Sequence, residues 1–363
     1  MKTIAKVLAG LALSAFTFYL FLRNLDFGKV AATLADASLP LLSASIVIGY
    51  FGHLSFRARR WKTMLDPLKE HVSFYNLFST TAIGYAISWL TPGRIGEVAR
   101  PVLLARREGI PVAGVVATAA IERVLDVVTI VGLAALAAVS APLWWKTVGR
   151  SPQVVVPWFG RTDLVRAVAW LGVAGLATCM AGLLLLRTLV MEDSRFLDFV
   201  ARRRAAAGRL TRLWEVVRHL AEGASFLRSP RRALSVGAES ILIWVVVSFA
   251  SWLGLLAARV RIPFPGTFLL VALSAVGLSV PTPGGAGTVH IAFQRGLIDL
   301  FNVEPNLASA ATFLYHPITI YVPPIVIGLF FAWRDGLSPA KLRDLQPMTK
   351  TSPRPTHRKS PPA

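Results

Sequence analysis

Cysteine and charged residues are both scarce in this sequence. The single cysteine, Cys179, lies in an apolar run and excludes both an intrachain disulfide and a cysteine-based metal site. Charged residues make up 16% of the 363 residues, whereas soluble domains typically have about 25%. The composition therefore argues against a soluble fold.

Acidic residues are the scarcer of the charged residues, and apolar residues dominate the chain. There are 19 Asp and Glu against 39 Lys and Arg, a formal net charge of +20, and 54% of the residues are hydrophobic. An apolar chain with a basic excess is typical of a polytopic inner-membrane protein. The basic residues are spread over loops between apolar segments. This spacing argues against nucleic-acid binding and favours anionic lipid headgroups as partners.

Six apolar segments are long enough to cross a bilayer, which takes about 20 residues. They lie at about residues 4–22, 39–56, 112–143, 164–190, 233–257 and 307–333. Two more segments, about 74–91 and 264–281, run directly into Pro-Gly clusters, which predicts re-entrant or broken helices. The predicted fold class is therefore all-α: a polytopic integral membrane protein with about six spanning helices and two such hairpins.

The distribution of basic residues predicts how the chain is oriented. If both interrupted segments return to the side from which they entered, most Lys and Arg lie on the side of both termini. The positive-inside rule makes this side the cytoplasm. The arginine-rich residues 192–232 then form either an amphipathic helix on the cytoplasmic leaflet or a solvated linker. Residues 336–363 are rich in Pro, Ser and basic residues and predict a disordered cytoplasmic tail.

A short internal repeat is the most informative pattern in the sequence. Residues 91–96 (TPGRIG) match residues 282–287 (TPGGAG) at four of six positions, and each cluster lies between comparable apolar segments. In the predicted topology the two halves, about 39–143 and 233–333, run in opposite directions. Such an inverted repeat is typical of transporters that alternate access around a central site. Thr-Pro-Gly is also a common helix-breaking sequence, so chance similarity is the alternative.

Six charged residues cluster around and after the first Pro-Gly turn. They are Arg94, Glu97, Arg100, Glu122, Arg123 and Asp126. A charge in the middle of a bilayer costs about 2.5–3.5 kcal/mol on insertion scales, so these side chains must pair or line a wet cavity. We predict that they bind substrate, with Arg94 and Arg100 receiving a lipid phosphate. The alternative is an ion-pair network that only holds the helices together.

The second turn supplies backbone groups rather than charges. Gly284, Gly285 and Gly287 allow close approach of the chain, and the following helix would direct its positive end towards an anion. A nucleotide-binding loop is excluded because no Lys-Ser/Thr follows these glycines. His290 is predicted to hydrogen-bond the broken backbone, to relay protons or, more simply, to pack between helices.

A basic pair follows the second predicted span. Arg57 and Arg60, next to Trp61, are predicted to anchor the cytoplasmic end of this span and to contact a headgroup at that face.

These motifs together resemble a known family. The TPGRxGExxR stretch at 91–100, the ERxxD stretch at 122–126 and the PTPGGxG stretch at 281–287 are similar to the lysylphosphatidylglycerol synthase transmembrane, or flippase-like, domain family. The resemblance covers about residues 1–335 and implies an inner-membrane protein that moves lipids or lipid-linked sugars between leaflets. His290 departs from the family pattern, in which a carboxylate often follows the turn, so a proton-coupling role does not carry over.

The resemblance does not by itself fix the activity. Fused family members carry an aminoacyltransferase domain, which residues 336–363 do not resemble, so synthase activity is not carried over. We expect a lipid transporter with no catalytic residues, no bound metal and no cofactor. The alternative is an accessory protein or intramembrane enzyme of an envelope-lipid or glycolipid pathway. A homo-oligomer and association with envelope-lipid biosynthetic enzymes are left open.

Overall fold

The computed structural model describes residues 2–23, 25–91, 94–144, 153–156, 160–191, 219–280 and 282–337. The predictions for Pro92, Gly93, residues 192–218 and the tail from 338 onwards concern residues outside these ranges. The helices are α1 Lys2–Leu22, α2 Phe27–Ala35, α3 Leu39–Leu65, α4 Phe74–Leu90, α5 Gly96–Glu108, α6 Val112–Val139, α7 Ala141–Trp144, α8 Leu164–Met191, α9 Pro230–Ala257, α10 Phe264–Ser279, α11 Thr288–Arg295 and α12 Pro305–Arg334.

Among the described residues, the regular structure is helical apart from one short β-hairpin between α7 and α8. Strands β1 (Gln153–Val156) and β2 (Gly160–Asp163) pair antiparallel, with Val154 opposite Thr162. The all-α prediction did not include this hairpin. Its alternation of valines over only four residues is too short a signal to separate a strand from a loop.

Apolar helices long enough to cross a membrane include α3, α9 and α12. Ala9–Leu22 in α1 and α10 are shorter apolar helices. Five of the six predicted spanning segments fall on helical residues, whereas 112–143 is divided at Ser140 between α6 and α7; the two interrupted segments form α4 and α10. Together these helices indicate a membrane protein.

Helix α3 continues beyond its predicted end. The predicted span ended at about residue 56, but the helix extends to Leu65. Its last turns are buried because Ala58, Trp61 and Leu65 pack against Leu77 of α4 and Leu104 of α5. Burial of these apolar side chains explains why the helix does not end near residue 56. The sequence pattern alone did not show that they are buried.

Glycines allow α4, α5 and α12 to pack closely. A side chain on Gly96 would overlap the carbonyl oxygen of Gly84, and one on Gly84 would come within 2.7 Å of the Cβ atom of Arg100. A side chain on Gly328 in α12 would likewise overlap the backbone of Ala82 in α4. Since backbone atoms cannot move aside as side chains do, these positions fix how deeply α5 and α12 lie against α4.

The end of α5 is held by one carboxylate outside the candidate spans. Glu108 accepts hydrogen bonds from Lys69 Nζ (2.7 Å), Asn76 Nδ2 (2.7 Å) and the backbone N–H of Ser73 (3.2 Å). Burial raises its pKa, but these hydrogen bonds lower it more, and the pKa lies below the usual value.

Glu108 should therefore stabilise the fold in a pH-dependent way. A pKa that is lower in the folded chain contributes stability above the unfolded-state pKa of about 4.3, and this stability is lost as pH falls through the folded-state pKa. We expect Glu108→Gln to lower the unfolding temperature at pH 7, and the difference from wild type to shrink below about pH 4. Thermal unfolding in detergent at several pH values measures this. A difference that stays constant with pH would contradict it.

Candidate functional site

Two carboxylates of α6 form the centre of a buried ion-pair network. Glu122 and Asp126 lie one turn apart and face α3. Arg57 Nη1 donates to Asp126 at 2.8 Å and to Glu122 at 3.3 Å. Arg60 Nη2 donates to both carboxylates at 2.9 Å. Each carboxylate is thus shared by the same two arginines.

Other groups add hydrogen bonds to the two α3 arginines, although Arg60 Nε has no hydrogen-bond partner among the described residues. Arg57 Nε donates to His53 Nε2 at 2.6 Å, one turn earlier on the same helix. Arg60 Nη1 donates to Ser240 Oγ of α9 at 3.0 Å. The network therefore links α3 and α6 to α9, and the imidazole of His53 acts in it as a neutral acceptor.

Arg100 joins the network from α5. It donates to Glu122 Oε2, and its guanidinium lies 4.3 Å from the ring centroid of Trp61. The indole of Trp61 in turn donates to Thr118 Oγ1 at 3.0 Å. Such stacking suits the planar, weakly hydrated guanidinium group. Arg100 is only 4% exposed, so its position favours holding α5 against α3 and α6.

Arg94 and Arg123 occupy the open side of the network. Both contact the same oxygen of Glu97, at 3.2 Å and 3.4 Å respectively. Arg123 also lies 3.4 Å from Asp126. Their side chains are 43% and 35% exposed, in contrast to those of Arg57, Arg60 and Arg100.

The placement of Arg57 and Arg60 corrects the sequence prediction. They were expected as headgroup contacts at the cytoplasmic face, yet they are 3% and 0% exposed and lie within the network. Their ion pairs with Glu122 and Asp126 compensate the loss of hydration that burial imposes. Arg59, between them, is instead exposed and pairs with Glu239 of α9 at 2.9 Å.

A cavity of about 380 Å³ opens beside the network. Arg57, Arg94, Arg123 and Asp126 line one part of it, and aromatic side chains including Trp89 line another. Its walls come from α3, α4, α6, α9, α10 and α12 together with the second Pro-Gly turn. This volume and the mixture of apolar walls with a few charged groups are typical of small-ligand sites.

Wide π-helical turns interrupt α3 and α12 at the cavity. They span Ile48–Gly52 and Leu314–Tyr321, and Tyr50 and His316 from these turns line the cavity. In α12, Pro317 removes a backbone donor, which explains the break in regular helix. In α3, a side chain on Gly49 would lie 2.8 Å from the Cβ atom of Ala250, so the turn lies tightly against α9. Such turns are frequent at functional sites.

The second Pro-Gly turn meets the end of α4 at the cavity. Gly284 and Gly285 line it and have φ angles of 56° and 69°, which other residues rarely adopt. His316 Nε2 donates to the carbonyl oxygen of Gly284 at 3.0 Å. A side chain on Gly284 would overlap the rings of Tyr321 and Trp89. The absence of a side chain at Gly284 therefore lets both aromatic rings pack against the turn.

Gly287 and His290 do not line the cavity but lie against α1, and the His290 ring packs 4.6 Å from that of His316, which does line it. Gly287 has a φ angle of 86° and contacts Thr17. Its N–H donates to Nδ1 of His290 at 3.3 Å, as predicted for a histidine that satisfies broken backbone. The ring of His290 is buried against Phe18 and Phe21, and its Nε2 has no hydrogen-bond partner among the described residues. This position favours helix packing over contact with a ligand.

Comparison with known families decides which family the chain represents. Residues 7–328 match the model of the lysylphosphatidylglycerol synthase TM region. The chain belongs to this family. The resemblance inferred from the three motifs is thus confirmed, and the network and cavity described above lie within the matched lysylphosphatidylglycerol synthase TM region.

A curated relative adds a second comparison. The chain is 27% identical over 331 residues to a protein of Haloferax volcanii named glycosyltransferase AglD. The match covers 86% of this chain but 52% of the relative, so the chain spans about half the length of that protein. The family match and the apolar helices together indicate a membrane protein.

Several cavity residues were not predicted from the sequence. His53, Tyr85, Trp89 and Trp244 line the cavity but belong to no motif. The four-residue spacing of His53 and Arg57 was the one available signal, because it places both on one helical face. Among the described residues, no group of three or more His, Cys, Asp or Glu side chains is placed to hold a metal ion.

Proposed function

We propose that this protein moves a lipid with a phosphate-bearing headgroup between the two leaflets of the bacterial inner membrane. The observation that carries the proposal is the cavity, which contains Arg94 and Arg123 and has walls from both halves of the chain. An apolar cavity with a few cations suits a molecule that is apolar along most of its length and anionic at its head.

The proposed mechanism uses the two halves as an inverted repeat. About six spanning helices and the two interrupted segments would place residues 39–143 and 233–333 in opposite orientations, with both termini in the cytoplasm. Trp89, at the end of α4, and Gly284, in the second turn, contact each other at the cavity. A site between inverted halves becomes accessible from either side when one half rocks against the other.

Within this mechanism the charged residues have separate roles. Arg94 and Arg123 would receive the phosphate, because they are the exposed members of the network and share one carboxylate oxygen. Glu122, Asp126, Arg57, Arg60 and Arg100 would hold the helices that position them. The backbone around Gly284 and Gly285 would contact the headgroup from the opposite wall.

Leaflet exchange in proteoliposomes tests the proposal. Purified protein is reconstituted with a headgroup-labelled phospholipid, and a membrane-impermeant quencher reports the fraction in the outer leaflet over time. We expect exchange faster than in protein-free vesicles. Folded protein with no exchange above that background for any phospholipid tested would overturn the transporter function.

Arg94→Gln and Arg123→Gln should each slow this exchange at least about tenfold, since each removes a charge-assisted contact to phosphate, for which about 1.5–3 kcal/mol is typical. Arg295→Gln is the matched control, because Arg295 is exposed, lies outside the cavity and is 3.8 Å from Asp299. Unfolding temperatures are measured in parallel. Equal slowing by all three variants, or slowing that only follows loss of folding, would contradict the assigned roles.

A second function is favoured by the name of the relative. A protein similar to a glycosyltransferase is compatible with an accessory subunit or intramembrane enzyme of a glycolipid pathway. This alternative predicts that the purified chain alone gives no exchange, and that its partners are envelope-lipid biosynthetic enzymes. Co-purification from membranes followed by identification of bound proteins and lipids separates it from the transporter.

A further inference from the structure

The ion-pair network carries more positive than negative charge. Among the described residues it contains five arginines (Arg57, Arg60, Arg94, Arg100 and Arg123) and three carboxylates (Glu97, Glu122 and Asp126). Two positive charges therefore have no counter-charge within the network. Neighbouring groups do not supply one, because Glu239 pairs with Arg59 and His53 accepts a hydrogen bond as a neutral ring.

The surplus is located at the cavity. Glu122 and Asp126 each pair with at least two buried arginines. Arg94 and Arg123 are the more exposed arginines and share one oxygen of Glu97, and Arg123 also lies 3.4 Å from Asp126. The Nε and Nη2 atoms of Arg123 make no hydrogen bond within the part of the chain that the structure describes. Both atoms are buried, and Nη2 also pairs with Asp126 at 3.4 Å. Arg94 lines the cavity as well and its side chain is 43% exposed, so it is the more accessible cation for a ligand there. A guanidinium group is well suited to bind phosphate oxygens in pairs.

We infer that the ligand of this cavity is a lipid whose phosphate group carries two negative charges, a phosphomonoester or a diphosphate, rather than a singly charged phosphodiester. The inference rests on the proposed function and narrows its substrate class. A doubly charged group neutralises the surplus of two charges, whereas a phosphodiester leaves one cation uncompensated in a cavity with mainly apolar walls.

Binding to the full-length protein in detergent tests this inference. Phosphatidic acid, a phosphomonoester, is compared with phosphatidylglycerol of the same acyl chains at pH 8, where a phosphomonoester with a second pKa of about 6 is doubly charged. We expect phosphatidic acid to bind about tenfold more tightly, because the second charge interacts with a nearby cation in a region of low dielectric constant. If phosphatidylglycerol binds as tightly as phosphatidic acid or more tightly, the inference is overturned, but the proposed transport function is unaffected.

Variants of the charged residues should change the preference for phosphatidic acid over phosphatidylglycerol in a predictable direction. Arg94→Gln lowers the surplus and should narrow the preference for phosphatidic acid. Glu97→Gln raises the surplus and should widen it, whereas Arg295→Gln should leave it unchanged. Equal preference in all variants would overturn the role of the network charge, even if both lipids bind.

Inorganic phosphate distinguishes the source of the ligand. If the lipid chains contribute to binding, phosphate should not displace phosphatidic acid at concentrations a hundredfold higher than the lipid. If phosphate displaces phosphatidic acid at equal concentrations, a doubly charged ligand is still supported, but the proposal that this ligand is a lipid is overturned. Failure of both lipids and phosphate to bind the folded protein would overturn the inference and the proposed function together.

Discussion

Glu122→Gln is expected to destabilise the protein more than any other conservative change in the network. Glu122 is fully buried and lies within ion-pair distance of Arg57, Arg60, Arg100 and Arg123. Glutamine keeps the shape but removes the charge, which leaves buried arginines in excess. Breaking a buried ion pair typically costs about 3–5 kcal/mol, a large part of the 5–15 kcal/mol that stabilises an average domain.

Thermal unfolding of the purified protein in detergent measures this effect. Asp299→Asn is the matched control, because Asp299 pairs with Arg295 at 3.8 Å on an exposed helical face. Such exposed pairs contribute less than about 1 kcal/mol. Glu122→Asp, which retains the charge, should recover part of the loss. A Glu122→Gln protein as stable as the control variant would show that the network contributes little to the fold.

Gly96→Ala is the second change expected to have a large effect. The new methyl group would overlap the carbonyl oxygen of Gly84 and lie 2.7 Å from the backbone nitrogen of Ser88. Because both are backbone atoms of α4, the helices α4 and α5 must move apart. Overpacking of this kind costs about 1–3 kcal/mol, and more where the backbone must shift. Arg100 and Glu97, on α5, would move with it, so exchange should fall together with stability.

Gly237→Ala provides the control for the added methyl group. Gly237 lies within α9, and a side chain there would meet no atom within 4 Å. Alanine in a helix is favoured over glycine by about 0.5–1 kcal/mol, so this variant should be slightly more stable than wild type. If Gly96→Ala unfolds at the same temperature as Gly237→Ala, the close approach of α4 and α5 is not a constraint on the fold.

The two interpretations of the charged cluster, a substrate site and a structural ion-pair network, apply to different residues. The alternative interpretation, a network that only holds helices together, agrees with Glu122, Arg60 and Arg100, which are buried and ion-paired. The site prediction agrees better with Arg94 and Arg123, which line the cavity. In a bilayer both roles are connected, because an unpaired cation near its centre is tolerated only beside a counter-charge or a wet cavity.

Periodicity along the chain predicted the local grouping of charges but not their partners. Glu122, Arg123 and Asp126 were correctly placed on one stretch of α6, because a helix brings residues three and four apart to neighbouring positions. Glu97 lies three residues from both Arg94 and Arg100, a spacing that on a helix favours contact with both. It contacts Arg94, but its second partner is Arg123, 26 residues further along the chain.

The sequence by itself determined the class of protein, the positions of its apolar helices and the family. These follow from composition, the length of apolar runs and three short motifs, all of which are local properties. The tertiary structure decided the rest. It joined Arg57 and Arg60 to carboxylates more than 60 residues away and left Arg94 and Arg123 facing the cavity. Partners between helices depend on how deeply glycines such as Gly84 and Gly96 let those helices pack, and no pattern along a single helix contains that information.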